Sequence, residues 1–346
     1  MNTLPDLGLS KAGRLKLHAE LRELKRISPW PGALHLLIRL PLQGLLWWWA
    51  CQAWVAQEYG IFILATVIAG LSFASLISLS HDALHHRLTG LSWLDEFVGR
   101  LISWPIAWPI GAYKYVHLMH HQQSGSDLDD PERVSPLAAD WARSPWHRAR
   151  LRNQLWLAMF ITGAAGLAHN ILVAVFKRWQ IPALRRAFIV DLFGIVTVIA
   201  LMGTGAFWGQ GWQGLLGFLI AWFIHERLVG VLHQFRNHME HYGLWGSLAS
   251  TLDTQYISAR TIKTNLIGRL FFNGLNRHAE HHFAPAIPFY KLESAHVLIA
   301  RAYEQEGFAN VEINGYMTAL RDVLVLMRKQ YCADASPAVR LRKNAT

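Results

Sequence analysis

Cysteine is almost missing from this sequence. The two present, Cys51 inside an apolar run and Cys332 near the C-terminal end, exclude a disulfide framework, a cysteine-rich zinc site and an iron–sulfur or rubredoxin centre. Charge is scarce too: 16% of the 346 residues are charged against 52% hydrophobic, a balance that argues against two soluble domains and for one membrane-integrated domain over 1–346. Acidic residues are the scarcer sign, 23 against 33 basic, giving a formal net charge of +10. The basic residues sit in short blocks between long apolar runs, where they read as cytoplasm-facing anchors and not as a nucleic-acid footprint. Any metal held here must be bound through nitrogen and oxygen.

Residues 1–32 form a charged, helix-prone, amphipathic segment without the apolar core of a secretory signal, expected to stay in the cytoplasm. Apolar stretches follow at 36–57 and 61–80, each near the ~20 residues a membrane helix needs, with "QEYG" turning between them. Further apolar runs lie at 155–176, 187–208 and 213–233. If all five crossed, Lys177, Arg178, Arg185 and Arg186 would lie outside, against the charge rule, and histidine clusters that need each other would be on opposite faces. The run at 155–176, interrupted by "GAAGLAHN" and leading into "KRWQIPALRR", is therefore expected to lie along the cytoplasmic interface. The expected fold is an all-α integral membrane protein. It has four transmembrane helices in two hairpins, a cytoplasmic helical cap carrying the histidines, and a cytoplasmic tail at 300–346. Trp47, Trp48, Trp49, Trp104 and Trp108 suit either an aromatic belt or a packed membrane core.

Histidine is what the sequence has in excess, with 18 residues. "HDALHH" places His81 and His85 one helical turn apart, on one face. "HLMHH" projects His117, His120 and His121 to one side, and "HAEHH" repeats that spacing with His278, His281 and His282. In "HQFRNHMEHYG", His233, Asn237 and His241 share a face at steps of four while His238 points elsewhere. A lone histidine such as His18, His35 or His147 reads as a hydrogen-bonded structural side chain. Repeated clusters mapped to one membrane face do not, and eight or more imidazoles exceed what one ion accepts, so two metal ions is the natural count. Asp82, Glu240, Glu280, Asp127, Asp129 and Asp130 lie beside the clusters, either as acceptors that fix histidine tautomers or as solvated loop acids.

The ordered set "HDALHH", "HLMHH" followed by "DLDDPE", and "NRHAEHHFAPAIPFYKLESAH" resembles the three histidine boxes of the membrane fatty acid desaturase and hydroxylase superfamily across about residues 35–300. "NHMEHYG" resembles the corresponding segment of membrane alkane monooxygenases. The resemblance implies two non-haem irons held by His81, His85, His117, His120, His121, His241, His278, His281 and His282, with Asn237 acting through water and His86 as a reserve ligand. Asp82, Glu240, Glu280, His233 and His238 are expected to support those ligands. It also implies dioxygen as co-substrate and hydrogen removal from an unactivated C–H bond of a fatty acyl or similar aliphatic chain. Two removals give a double bond, the outcome favoured by the first two boxes and "HHFAPAIPFY"; return of oxygen would make the chain a hydroxylase or monooxygenase of alkane, acyl, carotenoid or small amino-acid-derived substrates. Without cysteine for an electron-transfer centre, reducing equivalents must come from ferredoxin, rubredoxin or a b-type cytochrome with its reductase. The expected setting is a bacterial inner membrane with the site on the cytoplasmic face.

A metal transporter is the competing class. Transporters place ionisable ligands inside spanning helices near the midplane, whereas these clusters fall beyond helix ends. His225 and Glu226 do lie within the last apolar run, and they read as a packing pair or as part of a substrate passage.

Overall fold

The computed structural model describes residues 9–124, 130–136, 144–244, 252–308 and 312–333. Asp127 and Asp129 fall outside the described residues, as does the side chain of Cys332. Apart from a two-stranded parallel ladder, regular structure among the described residues is helical. The chain divides into two compact units. One gathers the N-terminal segment up to Ile27, His117–Leu155 and the chain from Arg236 onward; the other comprises Ser28–Val116 and Trp156–Phe235.

The second unit carries the apolar helices. Helix α2, Pro29–Val55, begins with prolines whose missing N–H costs nothing in a first helical turn. Helix α3, Tyr59–Leu84, is apolar nearly throughout. Arg39 Nη1 donates to Ser75 Oγ at 2.9 Å, Gln43 Nε2 donates to the Ala69 carbonyl at 3.2 Å, and Trp54 meets Phe62 at 4.8 Å between ring centroids. Partners that descend in number as α2 ascends make the two an antiparallel hairpin, as the "QEYG" turn predicts. Helix α3 is closed by His86 in the left-handed conformation, φ 56°, with Arg87 N–H donating to the Asp82 carbonyl at 2.9 Å. Helix α4, Ser92–Ser103, and helix α5, Ile110–Gln123, follow.

Among the described residues three helices are long and apolar enough to cross a membrane: α3, α7 (Gln154–Lys177) and α8 (Pro182–His241). The sequence expectation maps onto these unevenly. Helix α2, counted from the sequence as a span, is outside the three, because Arg39, Pro41, Gln43 and the tryptophan run replace aliphatic residues. Helix α7, expected to lie along the interface, has the length and composition of a span but is not regular: Leu157–Thr162 is a π-turn, and Gly163 turns out of helix at φ 56°, ψ −140°. Residues of α8 occupy this break. Arg227 donates to the carbonyls of Ile161 at 2.7 Å and Thr162 at 3.1 Å, while Glu226 accepts from Ala165 N–H at 2.8 Å. The broken ladder thus finds its partners in charged side chains. The 60-residue α8 also breaks, at Gln210 and Gly211. That is where the sequence puts the far end of the second hairpin.

The other unit packs α1 (Lys11–Leu21) and the ends of the chain around the histidines. Helix α6, Pro145–Arg152, and the short helices α9 (Leu252–Ile257), α10 (Leu266–Phe271) and α11 (His278–Phe283) precede α12 (Leu292–Gln305) and α13 (Tyr316–Ala333). Leu17 and Leu21 join Tyr256, Phe283, Ile299 and Tyr303 in one apolar core. The ladder pairs Thr261 with Glu312 and Ile262 with Ile313. The Arg260 guanidinium closes the end of α8 by donating to the carbonyls of Met239 at 3.1 Å and Tyr242 at 2.7 Å.

Candidate metal centre

Seven histidines of the first-described unit, from α5, the end of α8 and α11, are buried together. Their i, i+3, i+4 spacing on α5 and α11 turns three rings of each helix to one side, and the rings meet through Nε2. His121 lies 3.0 Å from His117 and 3.0 Å from His281; His278 lies 2.8 Å from His241 and 3.2 Å from His282, each measured Nε2 to Nε2.

Other contacts fix the tautomers. His120 Nδ1 donates to Asp130 at 2.8 Å, His117 Nδ1 to Glu132 at 3.1 Å, and His241 Nδ1 to the Ser258 carbonyl at 3.0 Å. An oxygen acceptor at Nδ1 requires the proton there, so in these three rings Nε2 presents a lone pair to the cluster. Two lone pairs 3 Å apart repel unless a proton or a cation lies between them, and one proton serves only one contact. Nitrogens bound at about 2.0–2.1 Å to a shared ion stand about 3 Å apart at right angles, the separation these rings show. The buried Nε2 of His120 adds an atom with no hydrogen-bond partner among the described residues. One ring nitrogen each from His120, His241 and His282 falls within 4.8 Å of the others, and the same holds for His117, His121 and His281. The donor set therefore fits metal, as two groups side by side in one unit.

Electrostatics agree. Burial, reinforced by neighbouring histidines, holds His278, His281 and His282 well below the usual imidazole range, so they stay neutral and able to ligate. Burial pushes His120 the same way, but the Asp130 and Glu132 carboxylates outweigh it and bring the ring up to about 8. Glu132, which burial alone would raise, is held below the ordinary carboxylate range by His117 and His120. A cation at Nε2 would take over the positive charge these acids stabilise.

The remaining expected residues are placed as follows. Glu280, buried between the α11 histidines, accepts from His296 Nδ1 at 2.7 Å and from the Thr261 hydroxyl. Glu240 accepts from Arg236 at 3.1 Å and lies 3.5 Å from His278 Nδ1. Asn237 is half-buried one turn before His241. His238 turns from the cluster, stacking on Tyr242 and meeting Gln154 at 3.4 Å. In the apolar unit, His81 and His85 face each other on the last turn of α3, 5.1 Å between centroids, with Asp82 buried beside them. His86 meets Lys114 Nζ at 2.7 Å, and His233 Nε2 lies 3.3 Å from the Ala74 carbonyl. The sequence reading did not single out Glu132, Ser258, Thr261 or His296. Glu132 and His296 were within reach, since they end the quoted "DLDDPE" and "NRHAEHHFAPAIPFYKLESAH".

The sequence matches the profile of the family described as fatty acid desaturase over residues 58–312. It is similar to an acyl-lipid (9-3)-desaturase of Physcomitrium patens, 28% identical over 62% of this chain and 43% of that protein. It is similar also to an sn-1 acyl-lipid omega-3 desaturase (ferredoxin) of Synechocystis sp., 26% identical over 68% of this chain and 66% of that one. A Delta(12)-fatty-acid desaturase of Arabidopsis thaliana is 24% identical over 75% of this chain and 67% of its own length. The match thus spans less than half of the moss protein and about two thirds of the other two.

Proposed function

Because the chain belongs to the fatty acid desaturase family, we propose that it is a membrane-bound, dioxygen-dependent desaturase that introduces a double bond into a fatty acyl chain, with two non-haem irons as its cofactor. The observation that carries this reading is the convergence of histidine Nε2 atoms at 2.8–3.2 Å in a buried cluster in which oxygen acceptors hold the outer nitrogens of His117, His120 and His241. His120, His241 and His282 would hold one ion, with His278 beside them; His117, His121 and His281 would hold the other. To these the family resemblance adds His81 and His85. Iron bound there, supplied with dioxygen and two electrons, furnishes an oxidant strong enough to take hydrogen from an unactivated C–H bond.

The protein's own contribution is position and exclusion. Asp130, Glu132 and the Ser258 carbonyl keep the protons of His120, His117 and His241 on Nδ1, so that Nε2 remains the ligating atom. Burial of the cluster removes water that would compete with substrate hydrogen. His86, engaged by Lys114, leaves His85 as the better partner of His81. The names of the similar proteins support desaturation over hydroxylation and an acyl lipid as substrate, and one of them carries ferredoxin in its name, which makes ferredoxin the first donor to test. We propose further that the α2–α3 hairpin and the two halves of α8 cross the bilayer, with α7 broken at the interface and the histidines on the cytoplasmic side. Lipid mass spectrometry of cells with and without the protein tests the reaction: an acyl chain two hydrogens lighter is expected, an added oxygen would transfer the assignment to hydroxylation, and an unchanged lipid profile in the presence of ferredoxin would refute both. A cysteine at position 181 labelled only from outside the cell would refute the topology.

A further inference from the structure

Helix α4 and the starts of α5 and α8, all within the apolar unit, enclose a cleft of about 250 Å³ beside the last turn of α3. One side is apolar, with Ala83, Leu84, Ile110 and Val190. The other carries three cations, Arg100, Lys114 and Arg186. The acids of the lining, Asp95 and Glu96, are already engaged. Asp95 is fully buried and already accepts from the Thr89 hydroxyl at 2.6 Å and its N–H at 2.9 Å, whereas Glu96 is shared between Lys114 Nζ at 3.1 Å and Arg100 Nη1 at 3.4 Å. Arg100 leans also on Asp191, 3.7 Å from its Nε. Arg186 forms no ion pair among the described residues and is exposed. The lining therefore sets three cations against the carboxylates of Asp95 and Glu96, with Asp191 beside Arg100, and it leaves Arg186 outside these ion pairs next to a greasy wall.

What surrounds it is apolar and open. On α8 the face that starts with Arg186 continues through Val190 to Phe193, which is 75% exposed. On α4 the exposed ridge Trp93, Phe97, Leu101 runs along the side opposite buried Val98 and Ile102. A cation at the start of an apolar helix face, beside exposed aromatics, is the pattern of a membrane–water boundary. The volume is below the ~300–1,000 Å³ of pockets that enclose a whole drug-sized ligand, so it suits a head group whose chains lie outside.

We propose that this cleft binds the phosphate head group of an anionic glycerophospholipid, with Arg186, Lys114 and Arg100 on the phosphate and the acyl chains along Phe97, Leu101, Val190 and Phe193. Basic pockets between membrane helices take anionic head groups by this combination of charge and exposed apolar surface. The site depends on no particular reaction at the histidines, so its test reads binding alone. The full-length protein, purified in detergent and stripped of lipid, is titrated with phosphatidylglycerol, with phosphatidylcholine of the same chains, and with inorganic phosphate, and retained ligand is counted by native mass spectrometry. Phosphatidylglycerol should be retained in preference to phosphatidylcholine. Arg186→Gln, a surface change, should cut that preference about fivefold, and Lys114→Gln by a similar factor. Glu96→Gln should strengthen retention, and Lys177→Gln with Arg178→Gln, basic residues at the end of α7, should leave it unchanged. Equal retention of the two lipids, an Arg186→Gln protein with unaltered preference, or inorganic phosphate displacing the lipid at equal concentration would each overturn the proposal, the last by reducing the cleft to a simple anion site.

Discussion

His225 and His241 stand on the same long helix, both buried, one in each unit. In the apolar unit His225 is complete by itself: its Nδ1 donates to the Ala221 carbonyl at 2.8 Å and its Nε2 accepts from Trp47 Nε1 at 2.9 Å. Each ring nitrogen has one neutral partner of the right kind, so the imidazole works as a bridge between helices. His241 has its Nδ1 spent in the same way, on Ser258, but its Nε2 faces another Nε2 at 2.8 Å. Burial is common to both residues. What separates the two is that the inward nitrogen of His225 meets an indole N–H, whereas that of His241 meets another imidazole nitrogen.

The largest effects should follow from removing an inward nitrogen. His120→Ala and His282→Ala are expected to lose both turnover and close to one of two irons per chain, read by metal analysis of the purified protein, with membrane insertion intact. Should either variant retain two irons and full activity, the grouping of His120, His241 and His282 would be wrong. Stripping the wild type with a chelator should abolish activity and allow its return on adding ferrous iron, whereas return with no metal added would count against a metal centre.

Next in size is the outward nitrogen. Asp130→Asn keeps the shape of the side chain but presents an amide where His120 Nδ1 now meets a carboxylate. Loss of such a partner typically costs about 10–100-fold in metal affinity or activity, and that range is expected for iron affinity. An unchanged affinity would mean that Asp130 is a loop acid near the site and not part of it.

Asn237 and His241 sharpen the comparison within a single helix turn. His241→Ala removes a ring whose Nε2 is 2.8 Å from His278 and should strip metal together with activity. Asn237→Ala should retain most of the iron and lose rate, as expected of a residue that reaches the metal only through water. The reverse pattern, metal lost from Asn237→Ala and kept by His241→Ala, would sink the assignment of "NHMEHYG".

These contrasts explain how much was legible beforehand. Spacing within one helix is a local property, so His117, His120 and His121, and likewise His278, His281 and His282, could be put on common faces from the sequence. The partners that fix their tautomers come from outside those helices: Asp130 and Glu132 lie beyond the end of α5 in sequence, and His296 reaches Glu280 from α12. No periodicity encodes those contacts. Membrane topology was harder for a similar reason. An apolar run reads alike whether it crosses or breaks, and the break in α7 is held by Glu226 and Arg227, whose partners Ala165, Ile161 and Thr162 lie more than sixty positions earlier. The far end of α8 was easier, because "GQG" marks its own break at Gln210 and Gly211.

The smallest effect is expected where the comparison began. His225→Phe keeps a ring of similar size but deprives Trp47 Nε1–H of its acceptor in an apolar environment. A buried donor left without a partner costs about 1–3 kcal/mol, so the variant should unfold at lower denaturant or temperature than the wild type. Iron content should not change, because neither nitrogen of His225 has an imidazole as its partner: one is on a backbone carbonyl and one on an indole. Trp47→Phe should be milder, since His225 Nε2 then loses a donor but keeps its Nδ1 contact, and the double variant should cost less than the sum of the two if they act through one hydrogen bond. A His225→Phe protein that folds as well as wild type but has lost iron would erase the distinction between the two regions and bring His225 into the metal centre.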